Sequence, residues 1–587
     1  MKNKNRIRDE RGIALIVVLF VALVVGAISA GAALMGSSSS LISRYSDRAS
    51  TLIAVTDAGL EEARSLINGN SALYPDSGFN TLESGVAVYN ADGAVIPGVQ
   101  RSLYVGPSGV TSGQYGVFGS IVSVVEDATG NHVIRRLEVA QESFAKYAYF
   151  TDIEPASISF GSGDQITGPV HTNDFLKIYP SGATFLGDVT TAQSVQGSEY
   201  GVFQQGYLEG APYIAMPTMT DLTKLQTQAA AGGTAFVSDL NGGPGQATTR
   251  IEFVALDLNG DGQVNGNNEG FIKVYQASAG ANAPYVVGDV PVDYASNGLS
   301  NSNNCGSVDA VGVFTSAVNH GGGWLAQLSG PNRRCYVGGS DSLYGAFTPN
   351  DGFGSYVPWT GAIDPLVTAL VGPVQAQYLI PITRQLNPTF KGVVYVEGKV
   401  AISGVLRGRL TLAATQDIIY VDDLTYATNP GAGTCNDILG LFAGNNIVIS
   451  DNAINAPVRP AGPTTGTYLT YDNSADEFLH AVTLALNIFT VENYNSGATT
   501  AEACEATPRG RGCLYLTGGI IQKQRGAVGT TAGTGNLKRY SYDQCAFSNP
   551  PPYFPTTGHF GKGRYYEVDP VNFDVATYWA SLIPTSD

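Results

Sequence analysis

The residues best placed to do chemistry lie in the run DLNGDGQVNGNNEG, Asp257 to Gly270. Asp257, Asn259 and Asp261 occupy alternate positions, Gly262 permits a sharp turn, and Glu269 follows. A hard cation such as Ca²⁺ takes about six to eight oxygens, and this spacing folds three oxygen-bearing side chains round one point. The backbone carbonyl of Gln263 is placed to add another. The match to a helix–loop–helix calcium loop is imperfect. Glu269 falls one place late, and the flanking IEFVAL and GFIKVY read as strands. The expectation is therefore a calcium loop set on a β-hairpin; the competing reading is an Asn/Gly-rich turn without an ion.

Other constellations are weaker. His171 stands in GPVHTND with Asp174 three residues on, and His320 precedes three glycines. The five histidines are scattered, without HExxH or a paired motif, so a histidine bonded within a turn is the expected state. The chain has no G-x-S-x-G elbow, P-loop or Rossmann glycine pattern. Asp422–Asp423 and Asp476–Glu477 have the residue types of glycosidase carboxylates, but nothing in the sequence places them on one face. The stiff run from Asn549 to Pro555, NPPPYFP, reads as an extended strap closing the C-terminal part of the chain.

The six cysteines lie in the second half, none in a CxxC pair. An even count in an exported chain reads as disulfides. Proximity pairs Cys305 with Cys335 and Cys504 with Cys513, which leaves Cys435 with Cys545.

At 587 residues the chain exceeds one ordinary core. Gly 72, Tyr 31 and only 14% charged residues favour short strands joined by tight turns. The net charge of -17 argues against nucleic acid as a partner, since phosphate binding needs a positive surface.

The N-terminus sets the compartment. Residues 1–12 carry Lys2, Lys4, Arg6, Arg8 and Arg11, and an uncharged, largely apolar stretch then runs from Ile13 to Ser43. That is enough to cross a hydrocarbon core of about 30 Å as a helix, with the basic flank left in the cytoplasm. Cleavage as an ordinary signal at Ala30-Gly31-Ala32 and retention as an uncut anchor are both open. A prepilin-type leader would instead be cut after Gly12, leaving Ile13 as the first mature residue. Gly12 at the junction favours this third fate, as does apolar helical spacing that continues through Leu52, Val55, Leu60, Ala63 and Leu66–Ile67 to a stop at Asn68-Gly69-Asn70. A helix over 13–66 would be about 80 Å long.

RGIALIVVLF (11–20) followed by VTDAGLEEA (55–63) resembles the N-terminal module of PilX-like type IV minor pilins. The resemblance covers about a tenth of the chain. It implies a prepilin leader over 1–12, anchoring in the bacterial inner membrane with a periplasmic head, and later display on a pilus or cell surface. The implied partners are other pilins and the pilus assembly machinery. Major pilins carry Glu at the fifth mature position, where it neutralises a neighbouring subunit's N-terminal amine; here that position is Val17. Its absence is shared with tip pseudopilins, which points to a minor or tip subunit.

The expected fold is α+β and mainly β. A pilin-like module over 13–145 joins the long helix to a small antiparallel sheet, with a hairpin turning at Ala128–Asn131. A β-rich extracellular head over 146–587 follows. Its apolar runs at 391–424, 437–450, 480–492 and 513–522 are continuous rather than alternating, as in strands buried on both faces. An irregular parallel β-solenoid is favoured and a jelly-roll-like sandwich is the second choice. YAYFTD (147–152), GDQITGPVHTND (163–174), GLFAGNNI (440–447), GGIIQKQRGAVG (518–529) and PPPYFPTTG (550–558) resemble a poorly characterised domain found behind PilX-type N-termini, which implies no chemistry.

The functional expectation is a non-enzymatic pilus or pseudopilus subunit that primes assembly or mediates adhesion through a calcium- and disulfide-stabilised head. Surface glycans or proteins are open as ligands. The alternative is a membrane-anchored β-solenoid polysaccharide lyase or hydrolase, against which stands the scarcity of basic residues, Lys+Arg 32.

Overall fold

The computed structural model describes residues 9–110, 114, 116–161, 163–238, 246–247, 249–277, 287–288, 349, 354–430, 433–449, 477–491, 494–495, 502–504, 507–509, 512–530 and 532–583. Their architecture is α+β and mainly β, in two units. One comprises Met1–Val110, Phe118–Ala140 and Phe560–Asp587; the other comprises Thr111–Val117 and Gln141–His559.

The first unit is built on helix α1, Asp9–Gly69, 61 residues long. It contains no proline, and it stops where Gly69 and the Asn70 cap of a short 3-10 turn break the pattern. From Ile13 through Ile42 its apolar side chains are exposed all round. From Leu52 onward one face is buried, with Leu52, Val55, Thr56, Leu60, Ala63 and Ile67 at the three- and four-residue spacing of a single helix stripe. That stripe lies on an antiparallel sheet of Asn80–Tyr89, Val95–Pro107, Phe118–Asp127, His132–Ser143 and Thr556–Val568, in that spatial order. The approach is close at Gly59, where a Cβ would sit 2.7 Å from Arg101 Cδ and 2.9 Å from Leu103 Cδ2.

The hairpin turns over 128–131, as the sequence indicates. Asp127 organises it by accepting the Thr129 and Asn131 amides, and Gly130 takes a φ of 80°. Burial opposes ionisation of Asp127, but the bonds from Thr129 and Asn131 override it and hold the carboxyl well below the usual carboxylate range.

The sequence expectation assigned everything after residue 146 to the head, and the structure differs there. Residues from Phe560 belong with the helix and sheet, because Thr556–Val568 is the sheet's last strand and the C-terminal helix Val575–Ser581 buries Trp579 against Val122 and Ile134. Trp579 Nε1 donates to the Pro107 carbonyl at 3.0 Å, so its polar edge is satisfied as well.

The second unit is organised by one long parallel ladder. Its strands stack in the order Ala235–Val237, Val393–Glu397, Arg409–Ala414, Ile438–Ala443, Glu477–Ala485, Cys513–Gln524, Tyr149–Ile153, Val170–Thr172, Val189–Thr191, Tyr207–Leu208. A second parallel ladder, Thr249–Ala255, Val400–Leu406, Ile418–Tyr426, Ile447–Ile449, Phe489–Val491, faces its first part. A third, Leu537–Tyr542, Asp164–Ile166, Ala183–Phe185, Gly201–Phe203, accompanies its last part. All three ladders pair their strands in parallel, whereas a jelly roll would pair its strands antiparallel.

Alternate residues of the long ladder point inward, among them Val394, Leu412 and Leu441, and outward, among them Tyr395, Ala413 and Phe442. The outer set is covered in part by helix α2, Met219–Gly232, through Leu222, Leu225 and Ala229. Burial on both faces is the reason these strands read as unbroken apolar runs.

The chain enters this ladder in its middle. It builds outward to Tyr207–Leu208, passes through α2 to the opposite end at Ala235–Val237, and builds back until Cys513–Gln524 meets Tyr149–Ile153. At that seam Ile520 pairs with Tyr149, Ile521 with Phe150 and Gln522 with Thr151. Beside it Arg525 donates to Glu154 Oε2 at 3.1 Å, with both side chains sealed from solvent. Glu154 Oε1 accepts the Tyr149 and Thr151 hydroxyls at 2.7 Å each, and the guanidinium lies 3.7 Å from the Phe160 ring centroid.

Removing one member of this pair strands the other in a low-dielectric site. Arg525→Met is expected to cost about 3–5 kcal/mol, and Arg525→Met with Glu154→Gln is expected to recover much of it. Denaturant midpoints of the two variants check this; an equal loss in both would mean the seam does not depend on the pair.

Candidate functional site

Three places in the structure bear on function, and the first is the N-terminal half of α1. Ile13 is 63% exposed and Val17 53%, and neither has a protein neighbour to cover it. One window of the helix Ile13–Gly69 is long and apolar enough to cross a membrane. Gly12 lies inside α1. After the uncharged stretch, charged residues resume at Arg44, and those further along pair with the sheet: Arg48 with Asp127 and Asp57 with Arg135, each at 2.7 Å, and Glu61 with Lys562 at 2.8 Å. Burial tends to raise the Glu61 carboxyl, but bonds from Lys562, Tyr565 and Arg64 bring it down to about 2.

The second place is the oxygen-rich loop. Thr249–Ala255 and Gly270–Ala277 pair antiparallel, so the loop joins two strands of a hairpin. Asp257 folds it by accepting Gly260 N–H at 2.8 Å through Oδ1 and Gly262 N–H at 2.8 Å through Oδ2. Asn259 Oδ1 accepts the Asp261 amide, Asn259 Nδ2 donates to Asp261 Oδ2, and Asp261 Oδ1 accepts the Gln263 amide. Asp257, Asn259 and Asp261 are thus gathered in one tight turn, with Gly260 and Gly262 at positive φ. Glu269 is fully buried, and its two oxygens accept the Leu258 and Gly266 amides, so it braces the loop from within. Among the described residues no Lys or Arg pairs with Asp257 or Asp261, and no three His, Cys, Asp or Glu converge on one point.

The third place is a cleft of about 530 Å³ that no motif announces. Arg384, Arg407 and Arg409 line it, together with Gly266 and Asn267 from the far limb of the oxygen-rich loop. Arg407 joins loop and ladder: its guanidinium donates to the Gly266 and Asn265 carbonyls and to Asp437 Oδ1 at 2.7 Å. The only sequence sign of this cleft is the pair of arginines in LRGRL, within a chain poor in cations.

The other candidates are structural. His171 is buried in the outer stack of the ladder, on the Phe150 ring at 5.3 Å, with Nδ1 to Thr190 and Nε2 to Asn173. Burial depresses its pKa against the bond that Nε2 donates to Asn173 Oδ1. Asp423 caps the Phe478 amide, and Asp476 and His320 lie outside the described residues. The NPPPYFP segment lies along the outer face of the ladder: Thr411 Oγ1 donates to the Pro552 carbonyl, and a Cβ on Gly440 would meet Phe554 at 2.6 Å.

Cys435 is bonded to Cys545 and Cys504 to Cys513, while Cys305 and Cys335 lie outside the described residues. Cys435–Cys545 closes a separation of 110 residues and ties the strap's start to the approach of the Ile438–Ala443 strand. Cys435→Ser with Cys545→Ser is expected to cost about 2–5 kcal/mol of head stability. Reducing agent should then lower the thermal midpoint of the wild type more than that of the variant; equal sensitivity would assign the effect to other cysteines.

No family model matches the chain, and no curated protein does. Among solved structures, the competence-associated pilin ComZ from Thermus thermophilus is similar over 88% of this chain and 97% of its own, at 11% identity and a TM-score of 0.28. A likeness at that level does not bear on what this chain does.

Proposed function

We propose that this chain is a minor or tip subunit of a type IV pilus or a related secretion pseudopilus, held in the inner membrane by α1 before assembly. The observation that carries the reading is the division of α1 into two halves. From Ile13 to Ser43 it is uncharged, largely apolar and uncovered; the second half is stapled to an antiparallel sheet by a single stripe and a set of ion pairs. An apolar surface of that length is unstable in water, at about 25 cal/mol per Å² of exposed apolar area, and demands lipid or neighbouring helices. Such a helix suits a subunit that waits in a bilayer and is then drawn into a bundle of like helices.

The basic residues 2–11 would stay cytoplasmic and the coiled head would be exported. Val17 offers no carboxylate to a neighbour's N-terminal amine, which fits a subunit with nothing stacked above it. The role is structural and interactive rather than catalytic: priming assembly, adhesion, or both. The partners are other pilins, the assembly machinery and the surfaces that the head meets.

The mature N-terminus tests this reading. Mass spectrometry of the membrane-extracted protein should give a chain starting at Ile13. A start at Ala33 would mean an ordinary signal peptide, and the pilin assignment would fall.

The head is read further as binding calcium at Asp257, Asn259, Asp261 and the Gln263 carbonyl, with Glu269 shaping the loop. Support comes from the crowding of two carboxylates in one turn without a described cation beside them. Calcium at about a hundred times its Kd would stabilise the head by about 2.7 kcal/mol. Asp257→Ala with Asp261→Ala should abolish the calcium-dependent rise in thermal midpoint and leave the chelated protein little changed. A rise of the same size in the variant would locate calcium elsewhere or nowhere.

A further inference from the structure

We infer that the Cys435–Cys545 bridge is an exchange site for a dithiol, and that opening it frees the NPPPYFP strap from the outer face of the ladder.

The two described bridges differ in access. Cys504 and Cys513 are both fully buried, packed with Leu537, and their bond closes a separation of 9 residues. Cys545 is buried too, but Cys435 is only half-buried, with Thr434 and Asn436 exposed on either side of it. The short helix Gln544–Ser548 that carries Cys545 lies at the surface, where its Phe547 is 72% exposed. A thiolate can therefore approach the Cys435 sulfur in the folded protein, whereas the other bridge is shut. Exchange depends on that access, and exposed or strained bridges are the labile ones.

The backbone adds a second sign. Cys435 takes a φ of 28°, on the left-handed side that a residue with a Cβ rarely adopts. Tyr553, in the strap, does so as well at 56°, and among the described non-glycine residues only Asn572 shares the property. Such strain persists where surrounding contacts enforce it. Two residues after Cys435, Asp437 is fixed by Arg407 and the Thr428 amide, and the bridge holds Cys435 itself. Opening the bridge lets Cys435 return to an ordinary φ, which favours the reduced form.

The strap is what the bridge secures. Four of its seven residues are proline, so it offers few N–H groups to lace it to a strand. Its carbonyls instead accept from Arg409, at Asn549 and Pro550, and from Thr411, at Pro552. Its start is tied through Cys545, whose carbonyl accepts the Asn549 amide at 2.8 Å. Phe554 is buried in one cluster with Ala413 and Phe442 of the ladder's outer face.

The exchange balances without another reactant. One thiolate of the dithiol attacks the Cys435 sulfur and expels Cys545; the second sulfur of the dithiol then attacks the mixed disulfide and expels Cys435. The protein's S–S bond is reduced, that of the reagent is formed, and the two thiol hydrogens pass from the dithiol to Cys435 and Cys545.

The test uses the full-length protein in detergent, below its unfolding transition, treated with dithiothreitol, quenched by alkylation and mapped by peptide mass spectrometry. Cys435 and Cys545 should be labelled at least about tenfold faster than Cys504 and Cys513. Equal rates, or the reverse order, would overturn the exchange site. Hydrogen exchange in peptides covering Asn549–Pro555 should then speed about tenfold in the partly reduced protein, while Val393–Glu397 and Ile438–Ala443 stay slow. Cys435→Ser with Cys545→Ser should show the same fast exchange in the strap before any reductant is added. Unchanged exchange in the strap of both proteins would overturn its release, as would equal acceleration in the ladder strands, which would mean that the head unfolds as a whole.

Discussion

The head depends on a non-covalent seam that the long ladder crosses where Tyr149–Ile153 meets Cys513–Gln524, and the third ladder where Asp164–Ile166 meets Leu537–Tyr542. Tyr149–Ile153 lies parallel to the second half of Cys513–Gln524, though more than three hundred residues of chain separate them. Every strand from Val170–Thr172 to Tyr207–Leu208 is stacked on that pairing, and every strand from Val393–Glu397 to Glu477–Ala485 lies on its other side. Without the seam the ladder would be two shorter stacks with two exposed edges. The Glu154–Arg525 pair helps fix the register, since a slip of one residue would bring a buried charge against an apolar neighbour. So distant a pairing is slow to form, because loop closure comes before the contacts that reward it.

The first unit obeys a different constraint. Its helix is apolar and uncovered along one half and lies on a sheet along the other, and the sequence changes character where those surroundings change. No charge occurs between Ile13 and Ser43, and from Arg48 to Glu62 charges repeatedly find partners on the sheet. Each of these pairs has at least one member open to solvent, where ion pairs contribute about 0–1 kcal/mol, so they serve chiefly to orient the helix. The buried stripe and the close approach at Gly59 supply the adhesion.

Local features were legible in the sequence and long-range ones were not. Helix α1, the turn organised by Asp127 and Asn131 and the Cys504–Cys513 bridge all follow from neighbours in the chain. The apolar runs at 391–424 and 513–522 announced burial on both faces. They could not announce partners, because period and composition say how deeply a strand is buried and not what it pairs with. The stacking of residues 149–208 after residues 513–524 therefore left no local trace, nor did the return of Trp579 to the first sheet. The oxygen-rich loop was recognisable from Asp257, Asn259 and Asp261, but the inward turn of Glu269 was not. The arginine cleft was invisible because Arg384 and Arg409 come from separate segments that share a wall only in the folded chain.

These features describe a protein with an apolar helix near one terminus and parallel ladders far along the chain. The central claim is that α1 leaves the bilayer to join a fibre while remaining part of the mature protein. It is tested most directly by shearing fibres from cells and digesting them with trypsin. The account expects the peptide from Ile13 to Arg44 in the fibre fraction, together with peptides of the head. Head peptides in the fibre fraction without that segment, or confinement of the whole chain to the membrane fraction when fibres are abundant, would contradict it.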